Sequence, residues 1–227
     1  MKRSIIEGRA AALPIANLDT DQIMPKQFLR GIDKAGLAGG LLYDLRFNAQ
    51  GQPRESFVLN QPAFAGVDLL LAGPNYGCGS SREHAVWGMQ QFGFRAVVAS
   101  SFGEIFYSNA INNGLLPAMV SERDARALLD EAAAHEGPLP LRIDLEALTV
   151  TSPTRAARFM LSPRHQRMLT EGLDMVGATL QYQAQIDAFA RAHWTVQPWL
   201  KDVAVRMHAW AFAPHEVNQS GLNVKQT

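Results

Sequence analysis

A chain of 227 residues, 47% hydrophobic and 19% charged, is long enough to bury one sizeable core, and no stretch of it reads as a linker between domains. Lysine plus arginine balances aspartate plus glutamate at 21 each with no basic cluster, and no apolar run reaches the roughly 18 residues of a membrane span, which argues against nucleic-acid and membrane partners. A single cysteine precludes an internal disulfide, the N-terminus lacks an apolar signal core, and a cytoplasmic protein that handles small molecules or protein partners is expected.

Along the chain, Asp19-Thr20-Asp21 suits an Asx-turn. Glycines at 31, 36, 39 and 40 mark the following stretch, Met24 to Gly40, as a mobile loop. Leu69 to Ala72 predicts a short buried strand, after which Gly73, Pro74, Asn75, Gly77 and Gly79 predict a tight loop. Arg82 to Phe92 has helix length, and Ser80 followed by Glu83 forms a capping-box pattern. On one reading Ser80 is an ordinary helix cap and Arg82 a solvated first-turn residue. On the other, two hydroxyls, a guanidinium and backbone N–H groups at a helix N-terminus make a site for a carboxylate. The loop lacks the Gly-Lys-Ser/Thr of a phosphate loop and the third glycine of a dinucleotide loop.

Arg95 to Ser100 and Leu116 to Val120 predict two more buried strands around a helix from Phe102 to Asn112, whose Phe102, Ile105 and Phe106, with Ile111 and Leu115, are expected in the core. Asn112-Asn113-Gly114 reads as a helix stop. The resulting βαβαβ order favours a parallel α/β arrangement with ligands near the strand carboxyl ends, where the Ser-Ser-Arg loop emerges. Ser121 caps a helix from Glu122 to His135, and Leu141 to Thr151 shows partial period-two alternation. Cys78 reads as a small buried turn residue, and the six histidines show no metal-binding spacing. Trp194, Trp199 and Trp210 fall in or near a proline-containing tail, where they would pack on the body or on another subunit.

The segment Gly77-Cys78-Gly79-Ser80-Ser81-Arg82-Glu83-His84, joined to Asn17-Leu18-Asp19-Thr20-Asp21-Gln22-Ile23 and Pro25-Lys26-Gln27-Phe28-Leu29, resembles the 3-isopropylmalate dehydratase small-subunit family of the aconitase superfamily. Ser101-Phe102-Gly103-Glu104-Ile105-Phe106-Tyr107, Asn112 to Pro117, Asp144 to Ala147, Gly172-Leu173-Asp174 and Gly177 to Leu180 extend the match in family order, from about Asn17 to Arg191. The resemblance implies the swivelling β/β/α fold of the aconitase C-terminal type over residues 1–205, with 206–227 as a tail outside the pattern. It further implies a hydro-lyase that interconverts 2- and 3-isopropylmalate in leucine biosynthesis. The 4Fe-4S cluster and most acid–base groups would reside on a separate large subunit, since one cysteine cannot hold such a cluster.

Carried over residue by residue, the resemblance makes Ser80 the base, Arg82 the carboxylate-binding guanidinium and Ser81 the neighbouring orienting hydroxyl. Asp21 becomes the acidic residue of a second loop, partner to a charged group across the subunit interface, and Thr20 and Arg30 become substrate contacts. Arg30 lies in a specificity segment from Met24 to Gly36, and a solvent-facing arginine is its alternative reading. Val86, Gly73-Pro74-Asn75 and Ser162 to Arg167 depart from the family pattern. They leave open a paralogue acting on citramalate, dimethylmalate or another substituted malate. A non-catalytic binding module of the same fold is the reading from a different class.

Overall fold

The strand and helix order read between residues 69 and 120 is present, with one strand ahead of it and three behind. The computed structural model describes residues 4–29 and 35–212. In chain order the elements are β1 (Ile5–Leu13), α1 (Thr20–Ile23), α2 (Tyr43–Arg46), β2 (Leu69–Ala72), α3 (His84–Phe92), β3 (Ala96–Ala99), α4 (Glu104–Asn112) and β4 (Leu116–Val120). They continue with α5 (Glu122–Ala134), β5 (Leu139–Asp144), β6 (Thr149–Thr151), β7 (Ala156–Met160), α6 (Pro163–Glu171), α7 (Met175–Leu180), α8 (Gln183–Val196) and α9 (Val203–Ala211).

The strands close into a barrel in the order β1-β2-β3-β4-β7-β6-β5. β1 to β4 are parallel neighbours, and β7, β6 and β5 complete the circuit with antiparallel pairs. The apolar runs of β2 and β3 are continuous because both faces are covered. Leu69 and Leu71 enter one core cluster with Val98, Leu116, Leu141 and Phe159, while Leu70 enters the other with Val97, Met89 and Phe106.

Two strands carry a weak sequence signal. β1 contains Gly8 and three consecutive alanines, so its buried positions add little apolar contrast, and β7 is a short Ala-Ala-Arg-Phe-Met segment that buries only Ala157 and Phe159. The alternation expected from Leu141 to Thr151 resolves into two strands, β5 and β6, paired through Asp144 and Thr149 across a turn in which Leu148 has φ 54°. Ser121 caps α5 as expected, its hydroxyl accepting from the Asp124 N–H at 3.1 Å.

The described residues up to 178 form one compact unit and those from 179 to 212 a second. The second unit exposes large apolar side chains, among them Phe189 and Trp194 on α8, Trp210 on α9, and Trp199 and Phe212 outside these two helices. Residue 205, where the tail boundary is read, falls within α9.

Candidate functional site

Because β1 and β2 are parallel and paired through Leu13 and Ala72, the loops that follow them leave the barrel side by side at the strand carboxyl ends. Main-chain hydrogen bonds then join them: Asn17 N–H to Pro74 O at 2.9 Å, Gly77 N–H to Leu18 O at 2.8 Å and Thr20 N–H to Cys78 O at 2.9 Å. On its other side the second loop bonds to the segment after β3, Tyr76 N–H donating to Ser101 O at 3.1 Å and Gly103 N–H to Tyr76 O at 2.9 Å. The loop thus runs as an extra parallel thread between two neighbours.

Two glycines allow this close packing. Gly77 has φ +73°, and a Cβ there would lie 2.3 Å from the Phe106 ring; a Cβ on Gly103 would lie 2.4 Å from the Gly77 carbonyl oxygen. Tyr76, buried below the loop, packs edge-on against Phe106 with ring centroids 5.3 Å apart. Its hydroxyl faces the Met89 sulfur at 3.4 Å, and burial pushes the phenol far above its ordinary value, so it stays neutral.

Ser80 and Ser81 stand exposed beyond this anchor, and neither hydroxyl bonds to another described residue. The Ser80 carbonyl accepts from the Arg82 N–H and from the Thr20 hydroxyl, both at 2.8 Å. Thr20, expected to touch substrate, is only 1% exposed with its proton directed at that carbonyl, so its observed contact is with the loop's main chain. Asp21, expected to meet a charge across a subunit boundary, pairs within this chain with Arg82 Nη1. Lys26 Nζ, which the sequence reading passed over, lies 3.8 Å from the other Asp21 oxygen. Asp19, read as part of an Asx-turn, is instead the N-cap of α1 in a capping box: its carboxylate accepts from the Gln22 N–H at 2.8 Å, and the Gln22 side chain accepts from the Asp19 N–H at 3.1 Å. Arg30 lies outside the described residues.

The capping box expected at Ser80 and Glu83 is absent. α3 begins at His84 with Glu83 as N-cap and no side-chain cap, and the Glu83 carboxylate accepts instead from Asn113 Nδ2 at 2.6 Å. A tertiary partner 30 residues away has displaced the local one, so the serines precede the helix rather than cap it. Cys78, expected buried, is half-buried with Sγ 3.4 Å from the Asn17 carbonyl oxygen. Ile105, expected in the core, is 49% exposed, while Phe106, Ile111 and Leu115 are buried.

The glycine-rich stretch is also less open than expected where it is described. Leu37–Gly40 form a 3-10 turn packed by α3, with Leu37 N–H donating to Gln91 Oε1 at 2.8 Å and Gly40 against the Phe28 ring. Met24, at the other end of the stretch, is fully buried with its methyl under Gly88.

Ser80, Ser81 and Arg82 therefore share one loop, with Thr20 and Asp21 contacting it from the first. Arg82 is 22% exposed in its side chain, and the Asp21 contact engages one nitrogen of a fork that carries five N–H donors. The remaining donors of that fork are left for an anion such as a carboxylate. Among the described residues no three His, Cys, Asp or Glu side chains gather as metal ligands.

The model of the aconitase C-terminal domain family matches residues 3–123. The 3-isopropylmalate dehydratase small subunit 1 of Chromobacterium violaceum is 60% identical over 199 residues, 88% of this chain and 93% of that protein. The corresponding small subunit of Phenylobacterium zucineum is 49% identical over 197 residues, 86% of this chain and 96% of that protein. Among solved structures, 3-isopropylmalate dehydratase from Methanocaldococcus jannaschii aligns with a TM-score of 0.59 and 29% identity, covering 81% of this chain and 98% of that one.

Proposed function

The chain belongs to the aconitase C-terminal domain family, among the 3-isopropylmalate dehydratase small subunits, and on that premise we propose how its residues serve the reaction. It is the small subunit of a hydro-lyase that isomerises 2-isopropylmalate to 3-isopropylmalate by dehydration and rehydration, a step of leucine biosynthesis. In this reading Ser80, as alkoxide, takes the proton from the carbon next to a substrate carboxylate. The Arg82 fork and the Ser81 hydroxyl hold that carboxylate, Asp21 fixes the guanidinium, and Thr20 fixes the Ser80 main chain. Arg30 contributes a further substrate contact from the specificity segment.

The observation that carries this reading is the conjunction of an exposed, unbonded Ser80 with an Arg82 held in place by Asp21 at the strand carboxyl ends. The 4Fe-4S cluster belongs to the large subunit in this division of labour, because one cysteine and no clustered ligands among the described residues do not fit it here. No described helix is long and apolar enough to cross a membrane, balanced charge supports work without nucleic acid, and a single cysteine suits the cytoplasm. The swivel domain is assigned to residues 1–205 and the tail to 206–227; alignment of 199 residues with the Chromobacterium protein leaves 28 of 227 unmatched.

Reconstitution tests the assignment. The purified chain should turn over no 2-isopropylmalate and carry no stoichiometric iron, and addition of a cognate large subunit should produce both isomers from either one. Turnover by the chain alone would overturn the division of labour.

A further inference from the structure

We propose that Asn113 and Glu83 are positioning residues for the Ser80–Arg82 loop, with α4 as the brace that holds both ends of that loop. The inference rests on the roles given above to Ser80 and Arg82. Glu83 follows Arg82 directly, and its carbonyl accepts the first helical bonds of α3, from Val86 N–H at 3.0 Å and Trp87 N–H at 3.1 Å. Its carboxylate is left for another purpose: Oε1 accepts from Asn113 Nδ2 at 2.6 Å.

Asn113 is saturated by its surroundings. Nδ2 also donates to Asn109 O at 2.9 Å, Oδ1 accepts from Trp87 Nε1 at 3.0 Å, and its carbonyl accepts from Gln90 Nε2 at 2.6 Å. These bonds use both amide hydrogens and the amide oxygen, so only one orientation of the side chain fits. The indole that fixes it lies one helical turn beyond Glu83 and packs at a tilt of 54° against His84, with ring centroids 4.7 Å apart. Asn113 is thereby locked to α3 as well as to the end of α4.

The other end of α4 touches the same loop. Gly103, its N-cap, packs on the Gly77 carbonyl, and Phe106 in its first turn lies under Gly77. A nine-residue helix, about 13 Å long, thus contacts the loop where it enters at Gly77 and where it leaves at Glu83. Between those anchors the loop carries Ser80, Ser81 and Arg82. Release of the Glu83 anchor would let Arg82 shift relative to Ser80, and misplacement by about 1 Å can cost up to roughly 10²-fold in rate.

The test uses the full chain assembled with its large subunit and compares Glu83→Ala, Glu83→Gln, Asn113→Asp and Ser80→Ala. Glu83→Gln keeps an oxygen to accept from Asn113, whereas Glu83→Ala removes the acceptor and Asn113→Asp removes the donor and opposes two carboxylates. The expected result is a 10- to 100-fold loss of kcat with a raised KM for Glu83→Ala and Asn113→Asp, and near-normal kinetics for Glu83→Gln. A loss of folded enzyme alone would lower the active fraction and leave KM unchanged, and thermal melts with gel filtration measure that fraction separately. Wild-type kcat and KM in assembled Glu83→Ala would overturn the proposal, as would Glu83→Gln being as impaired as Glu83→Ala. If Ser80→Ala is inactive while Glu83→Ala is normal, this inference alone fails; if Ser80→Ala is active, the underlying assignment of Ser80 fails.

Discussion

Thr20→Val isolates one hydrogen bond at the centre of the loop arrangement. Valine matches threonine in shape, so the buried volume is kept and only the hydroxyl, whose proton is directed at Ser80 O at 2.8 Å, is lost. The Ser80 carbonyl would not be orphaned, because it still accepts from the Arg82 N–H at 2.8 Å. The penalty of an unsatisfied buried acceptor is therefore avoided, and the cost is that of one net hydrogen bond, about 0.5–1.5 kcal/mol. For a domain of this size that corresponds to a fall in Tm of about 1–6 °C. The kinetic effect should be larger than the thermal one: with Ser80 free to drift, kcat of the reconstituted enzyme should fall by roughly 10- to 100-fold. Calorimetry on the chain alone and steady-state kinetics on the complex give the two numbers independently. Unchanged kcat would refute the claim that Thr20 positions Ser80, and a loss above about 3 kcal/mol would show that the carbonyl is left without a partner after all.

Ser80→Ala should reduce kcat by roughly 10²–10⁴-fold with stability within about 0.5 kcal/mol of wild type, since its hydroxyl caps no helix; a loss of stability with normal kcat would restore the capping role. Arg82→Lys keeps a charge for Asp21 but not the planar fork, so KM should rise along with the fall in kcat, and an unchanged KM would remove Arg82 from substrate binding. Burial raises the Glu131 carboxyl, but hydrogen bonds from Ser152, Thr154 and Arg155 outweigh it and hold the group below its ordinary 4.5. The stability it contributes is therefore complete above pH 4.5 and lost as pH falls through the lowered value, and Glu131→Gln should flatten the acid limb of Tm against pH; an identical limb would exclude this carboxylate. Removal of residues 206–227 should leave turnover and assembly with the large subunit within about twofold, because the described part of that segment is exposed; loss of assembly would place the tail in the interface.

The parts of the fold visible in the sequence are those where burial on both faces leaves no ambiguity. β2, β3 and β4 are apolar runs of four or five residues buried at nearly every position, and their order favoured parallel pairing. β1 was hidden because alanines supply two of its four buried positions and a glycine interrupts it, and without it neither the closed barrel nor the adjacency of the two loops could be inferred. The same gap explains the site. Ser80, Ser81 and Arg82 announce themselves by composition, but the pairing of Asp21 with Arg82 depends on the register of Leu13 against Ala72, which no local pattern encodes.

Glu83 shows the opposite failure, in which a local pattern was present and lost. A serine three residues before a glutamate satisfies the capping rule, whose gain is typically about 1 kcal/mol and about 2 kcal/mol in favourable cases. Asn113 offers the carboxylate a charge-assisted partner, and hydrogen bonds to charged groups contribute about 1.5–3 kcal/mol. The tertiary bond therefore wins, the helix starts later, and the two serines are released from helix duty onto an exposed loop. That loop's ties to Thr20, Asp21, Asn113 and Phe106 are all supplied by this chain. Association can then be spent on bringing substrate to a loop already in position, as preorganisation favours. A reaction divided between two polypeptides needs such a half-site, because a loop ordered only on assembly would charge its ordering entropy against the interface.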